Sequence, residues 1–98
     1  LVYEHPEATA VFVSSDQHAV GLLAGLQHLG KKVPDDLAVV SFDGTPFAEF
    51  SVPPLTTAAV PLAAMAEQAL ALLFGERRQE PGYGAELVIR SSCGCSRA

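Results

Sequence analysis

Polar residues able to bind hydroxyl groups stand where short apolar runs end. Ala10 to Val13 is followed at once by Ser14, Ser15 and Asp16, and Leu37 to Phe42 is followed by Asp43. A carboxylate so placed can accept two hydrogen bonds from adjacent hydroxyls, which is what a sugar or nucleoside-like ligand offers. Asp43, Ser15 and Asp16 are therefore the candidate ligand contacts. Each also has a plainer role. Asp43 could cap the turn Thr45-Pro46-Phe47, Ser15 suits the N-cap of a helix, and Asp16 suits the positive end of that helix's dipole.

The other reactive residue types do not assemble into a catalytic pattern. His5, His18 and His28 lack metal-ligand spacing with other donors, and Ser15, Asp16 and His18 lie too close on one helix start to form a nucleophile relay. Gly21 and Gly25 fall inside a helical pattern, not ahead of one, and no Gly-x-Ser-x-Gly elbow occurs. Cys93 and Cys95 form Cys-Gly-Cys near the end of the sequence. A bridge between cysteines one residue apart is strained, and two ligands do not complete a zinc site. The simplest reading is a pair of reduced thiols on a fraying tail, with a redox or metal role as the alternative. No enzyme activity, cofactor or metal is assigned.

The elements that must position these residues follow from periodicity and punctuation. Thr9 to Val13 reads as a strand, its continuous apolar character suiting burial on both faces. A helix follows from Asp16 to about Leu29 and stops at Gly30. Leu22, Leu26 and Leu29 make its apolar stripe, with Ala19 and Leu23 beside it, while Gly21, Ala24, Gly25 and His28 make a second stripe of smaller residues. Two glycines inside a helix cost about 1 kcal/mol each against alanine. They call for close approach of a neighbour, either the chain's own sheet or a second subunit. After the loop Lys31 to Asp36, Leu37 to Phe42 is a second strand. Strand, helix and strand make a βαβ unit with a right-handed crossover, and ligands sit off the carboxyl ends of such strands.

Beyond Asp43 the chain is mixed. Phe47, Phe50 and Val52 form an apolar loop cluster, and Pro53-Pro54 forces extended backbone into Leu55 to Val60, a strand or crossing segment. Pro61 opens a helix that runs to Phe74 and stops at Gly75, with Leu62, Met65, Ala66, Ala69, Leu70 and Leu73 on a broad apolar face. Glu76 to Gly84 is a loop, Ala85 to Ile89 a last strand, and Arg90 to Ala98 a tail. Leu1 to Tyr3 reads as the last turn of a helix before the Pro6 loop.

Composition sets outer bounds. The 98 residues are 49% hydrophobic and carry a net charge of −5, with Lys31-Lys32 and Arg77-Arg78 the adjacent basic pairs. That supports a packed core and argues against direct DNA binding by this stretch. No apolar run approaches the ~20 residues of a membrane span, and Leu1 to Pro6 does not read as a signal peptide.

The ordered run SSDQHAVG, GLQHLGKKVPDDLAVVSFDGT, VPPLTT and ELVIRSS resembles the effector-binding core of the LacI/GalR family of bacterial transcription regulators. No single motif is specific; their joint order is. The resemblance covers almost the whole chain and corresponds to the last third of such a regulator. It implies an α/β fold with a parallel-sheet βαβ core, the C-terminal portion of a two-lobed periplasmic-binding-protein-like (type I) fold. Residues 1–55 and 85–92 would belong to one lobe. Residues 56–84 would form a crossover and a helix packed on the other, with Pro53, Pro54, Leu55, Thr56 and Thr57 as hinge. The helix-turn-helix head and the first part of the binding core would lie outside the 98 residues.

The same resemblance implies a small-molecule effector, a sugar or related small molecule, bound at Asp43. Ser15 stands where the family often has asparagine, and Asp16 matches the family's Asp-Gln pair. It further implies a homodimer with Val20, Gly21, Ala24, Phe47, Phe50 and Val52 at the contact, operator DNA reached through the separate head, and a cytoplasmic location without a membrane. A solute-binding protein for sugar uptake is the alternative, and a fragment of an α/β enzyme a third.

Overall fold

The computed structural model describes residues 4–76 and 83–95. The helical turn expected at Leu1 to Tyr3, the middle of the loop from Glu76 to Gly84 and the last three residues of the tail lie outside the described residues. Seven elements follow in order: β1 (Ala10–Phe12), α1 (Asp16–His28), β2 (Ala38–Asp43), α2 (Pro46–Phe50), β3 (Thr56–Ala59), α3 (Leu62–Leu73) and β4 (Glu86–Val88). The four strands form one sheet in sequence order. β1, β2 and β3 are parallel, and β4 returns antiparallel beside β3. The fold is α/β, with two βαβ units and a mixed sheet.

α1 forms where the sequence places it. Ser15 is the N-cap in extended backbone, and its Oγ accepts the His18 amide at 3.2 Å. At the other end the Gly30 amide donates to Gln27 O and the Lys31 amide to Leu26 O, the paired closure of a Schellman turn. The buried face differs from the expected Leu22, Leu26, Leu29 stripe. It comprises Asp16, Ala19, Leu23 and Leu26, while Leu22 is half-buried and Leu29 exposed. The helix is rotated because a polar residue, Asp16, is drawn inward at its start.

The core lies between α1, α2 and one face of the sheet. Ala19, Leu23 and Leu26 meet Leu37, Val39, Ala48 and Leu55, with Val11 and Val13 packed at the margin. The expectation that the first strand is buried on both faces does not hold. β1 is an edge strand, and Phe12 is 63% exposed. The register puts Phe12 beside Val40, and Phe42 beside Ala58 and Leu87, on the face away from α1; Leu87 is exposed there too.

Where the chain leaves the sheet also differs from expectation. Thr56 and Thr57, placed at a hinge by the sequence, are buried sheet residues paired with Val40 and Ser41, and Leu55 is buried beneath them. Departure comes after Ala59, and return at Glu86, which pairs with Ala59. The excursion between them, including α3, therefore begins and ends at the same edge. α3 stands off from the sheet, and the radius of gyration is 16.6 Å, against about 13 Å for a compact chain of this length. Leu62, Met65, Leu70, Leu73 and Phe74 of this excursion are exposed.

The small-residue stripe does not meet the chain's own sheet. Gly21 and Gly25 are exposed, and a Cβ on either would have no atom within 4 Å. Gly21→Ala is therefore expected to stabilise this chain by about 0.5–1 kcal/mol through helix propensity, read from the urea midpoint. A loss of stability would show that the position is packed within the chain.

Candidate functional site

Three parallel strands bring their carboxyl ends to one edge. Ser14, Ser15 and Asp16 follow β1, Asp43, Gly44 and Thr45 end or follow β2, and Val60 follows β3. The structure thus gathers the three residues singled out as ligand contacts, but it gives them different work.

Asp16 is fully buried and faces inward. Its Oδ1 accepts the Ser41 hydroxyl at 2.6 Å and the Thr57 hydroxyl at 2.7 Å. Its Oδ2 accepts the Thr45 amide at 2.6 Å and the Thr45 hydroxyl at 2.8 Å. Both oxygens are filled by the protein, so Asp16 as a direct effector contact is corrected. It is also more than a helix-dipole partner, since it ties the start of α1 to β2, to the turn after β2 and to β3. Burial alone would push this carboxyl up. The donors from Ser41, Thr57 and Thr45 outweigh burial and hold it below its ordinary value.

Asp43 stands apart from this network. It is half-buried, and among the described residues its side chain has no hydrogen-bond or ion-pair partner. The proposed cap on Thr45-Pro46-Phe47 is not seen: Thr45 is the N-cap of α2, and its hydroxyl goes to Asp16. Asp43 has φ 124°, a backbone conformation that costs a non-glycine residue about 1–3 kcal/mol. The surroundings impose it. Asp43 O accepts the Val60 amide at 3.1 Å, and Gly44, at φ 82°, lies so close to β3 that a Cβ there would meet Ala59 Cβ and come within 2.7 Å of its Cα. Strain of this kind concentrates at functional sites.

Ser15 keeps its proton available. Its Oγ accepts the His18 amide and, among the described residues, donates no hydrogen bond, so the hydroxyl hydrogen of this half-buried residue is available. The edge therefore offers one acceptor-only group and one hydroxyl donor, a set matched to vicinal hydroxyls. A separate cleft of about 230 Å³, lined by His5, Leu26, Lys31, Asp36 and Leu37, lies at the amino ends of the strands, away from Asp43. Among the described residues no cluster of three His, Cys, Asp or Glu could hold a metal ion. No helix there is long and apolar enough to cross a membrane.

The residues expected at a dimer contact fall into two groups. Gly21, Ala24, Phe47, Phe50 and Val52 are exposed, Phe50 at 76% and Val52 at 84%, whereas Val20 packs partly against the core. Of the expected hinge set, Pro53 is half-buried, Pro54 exposed, and Leu55, Thr56 and Thr57 buried. Sequence reasoning missed Ser41, Thr45 and Thr57 as the partners of Asp16. The available signal was a hydroxyl residue, Ser41, inside an otherwise apolar strand.

Comparison with known proteins follows the same outline. The family described as the periplasmic binding protein-like domain matches residues 2–93. The HTH-type transcriptional repressor MelR of Bacillus subtilis is 39% identical over 92 residues, 89% of this chain and 27% of MelR. The HTH-type transcriptional repressor CytR of Escherichia coli is 40% identical over 90 residues, 86% of this chain and 26% of CytR. A crystal structure of a LacI family transcriptional regulator from Lactobacillus casei with bound sucrose superposes with a TM-score of 0.75 at 41% identity, over 86% of this chain and 33% of that one. One from Arthrobacter sp. FB24 in complex with lactose gives 0.76 at 33% identity, over 94% and 37%. The chain spans about a quarter of the length of the curated relatives it matches.

The Asp16 network makes two linked predictions. Asp16→Asn removes the buried charge that four donors serve and leaves an NH2 group in place of one acceptor oxygen, against the fixed Thr45 amide or the Ser41 and Thr57 hydroxyls, and should cost about 2–4 kcal/mol of unfolding free energy. Because the folded carboxyl binds its proton less readily than the unfolded one, its contribution is whole at neutral pH. It declines as pH falls below about 4 and is lost below the folded value. Urea unfolding at pH 7 and pH 3 checks both: Asp16→Asn should be the weaker protein at pH 7 and should lose less than the parent on acidification.

Proposed function

The chain belongs to the periplasmic binding protein-like domain family, and we propose that it forms part of the effector-binding and dimerisation portion of a bacterial LacI-type transcription regulator. The effector is a sugar or related polyol, and this portion has no catalytic role. The observation that carries the reading is Asp43: an unpartnered carboxylate, held in a strained backbone conformation at the carboxyl edge of three parallel strands. Asp43 accepts two ligand hydroxyls while Ser15 donates to a third. The sugars bound by the related regulators from Lactobacillus casei and Arthrobacter support that ligand class.

Switching follows from the path of the chain. The backbone leaves the sheet at Val60 and re-enters at Glu86, both at the ligand edge, so these two crossings are the hinge in place of Pro53 to Thr57. Lobe closure over the sugar strains the crossings, and Asp16 passes the displacement to α1 and to the turn before α2. The exposed Gly21, Ala24, Phe47, Phe50 and Val52 on and beside those helices form the dimer contact. A change there alters the spacing of two DNA-binding heads carried elsewhere in the polypeptide. Operator DNA is bound through those heads, consistent with the net charge of −5 on this chain.

Asp43→Gly in the full regulator separates binding from folding. Glycine relieves the positive φ and should add about 1 kcal/mol of stability, while loss of the charged acceptor should weaken effector binding about 10–100-fold. Scanning calorimetry reads the first and titration calorimetry with the effector sugar the second; unchanged sugar affinity contradicts the assignment. Phe50→Glu should shift the regulator toward monomer in analytical ultracentrifugation without moving that affinity, and a persistent dimer would remove this face from the contact.

A further inference from the structure

The described tail does not fray; it is stitched across the sheet. The Ser91 and Ser92 amides donate to Pro54 O, and the Val39 amide donates to Ser92 O. The buried Ser92 Oγ accepts the Thr56 amide at 2.8 Å and donates to Val39 O at 2.6 Å, and Arg90 Nη1 donates to Leu55 O at 2.8 Å. The stitching ends at the two cysteines, which the regulatory reading leaves unused.

Donors converge on the Cys93 sulfur. Thr56 Oγ1, oriented because it accepts the Arg90 amide, donates to Cys93 Sγ at 3.0 Å, and the Cys95 amide donates at 3.2 Å. As a thiol donor, Cys93 reaches Arg90 O at a long 3.9 Å. Gly94, at φ 76°, turns the chain back so that Cys95 returns to Cys93, and a Cβ on Gly94 would touch the Pro34 ring at 3.5 Å. Short donors and a poor acceptor favour sulfur in its anionic form. Burial pushes the Cys93 thiol up, but the neighbouring Cys95 side chain, the Thr56 hydroxyl and the Cys95 amide outweigh it and bring it below its ordinary value. The Cys95 thiol reaches Cys93 O at a long 3.8 Å; the nearby Cys93 side chain, with burial, raises the Cys95 thiol above its ordinary value. Cys93 is half-buried and Cys95 exposed, so both can be reached.

We propose that Cys93 and Cys95 form a redox-active dithiol, with Cys93 the nucleophile toward a hydroperoxide and Cys95 the resolving thiol. The Cys93 sulfur attacks the outer peroxide oxygen. The O–O bond breaks, and the leaving alkoxide or hydroxide takes a proton, giving an alcohol or water and a sulfenic acid on Cys93. Cys95, giving up its proton, then attacks that sulfur; an S–S bond forms, the S–O bond breaks, and hydroxide leaves as water, and the strain of a bridge spanning one residue makes this disulfide readily reduced again. Two thiols and one hydroperoxide become a disulfide, an alcohol or water, and water. The thiols lose two electrons, and the peroxide gains them. Oxidised sulfur no longer draws the Thr56 hydroxyl as a thiolate does, so the reaction loosens one of the bonds that hold the tail to β3.

The test uses the full polypeptide and hydrogen peroxide at equimolar dose, followed by blocking with N-ethylmaleimide and peptide mapping. The peptide spanning Cys93 and Cys95 should escape the blocker, be lighter by two hydrogen atoms, and recover both thiols with dithiothreitol. Cys95→Ser should leave a sulfenic acid on Cys93 that dimedone traps, and Cys93→Ser should abolish both products. Before oxidation, iodoacetamide at neutral pH should label Cys93 about tenfold faster than Cys95, a difference that vanishes in urea. Equal labelling in the folded protein, no disulfide at that dose, or undiminished trapping on Cys95 in Cys93→Ser would each overturn the proposal.

Discussion

One buried carboxylate holds the carboxyl edge of the sheet together. Asp16 has no exposed surface and receives four hydrogen bonds from three other parts of the chain. A buried charge is expensive unless its lone pairs are filled, and here both oxygens are. The arrangement works in two directions. It fixes the N-terminus of α1 against the middle of the sheet, and it consumes the amide and hydroxyl of Thr45 that would otherwise be free at the start of α2. The turn between Asp43 and Thr45 is thereby clamped at its far end by Asp16 and at its near end by the amide of Val60. Gly44 lies between them against Ala59. Asp43 carries a backbone strain that an isolated turn would relax, and it keeps its carboxylate at the edge because its neighbours leave it no other conformation.

Much of this was legible in the sequence, because the local signals agree with the global fold. The Ser15 cap and the stop at Gly30 are set by chemistry within a few residues of each, and the structure keeps them, while the strands expected to end at Val13 and Phe42 end one residue away, at Phe12 and Asp43. The polar residues at those strand ends were recognisable as neighbours along one edge of the sheet. Their division of labour was not. Asp16 reads as a surface residue at a helix start because its partners are 25, 29 and 41 positions away, and nothing local announces them. Counting apolar residues alone also misplaced the helix face, since the residue that rotates α1 inward is charged.

The remaining differences have the same origin. Thr56 and Thr57 look like an exposed polar crossing, but their hydroxyls serve Cys93 and Asp16, which lets them sit inside a sheet. The apolar run at β1 suggested burial on both faces, yet helices α1 and α2 cover one face, and Phe12 remains open on the other. The apolar face of α3 was plain in the sequence, and it stays exposed at the end of an excursion that departs and returns at one edge. The tail, taken as loose, is anchored through Ser92, whose single hydroxyl bridges β2 and β3.

The central claim is that the edge built around Asp16 presents Asp43 to a sugar. A crystal structure of the full regulator with its inducing sugar tests it most directly. The account predicts ligand hydroxyls within about 3 Å of both Asp43 carboxylate oxygens, the Ser15 hydroxyl donating to the same ligand, and the four bonds to Asp16 intact. A sugar seated elsewhere, with Asp43 turned away from it, or a ligand bonded directly to Asp16 in place of Ser41 and Thr57, would contradict it.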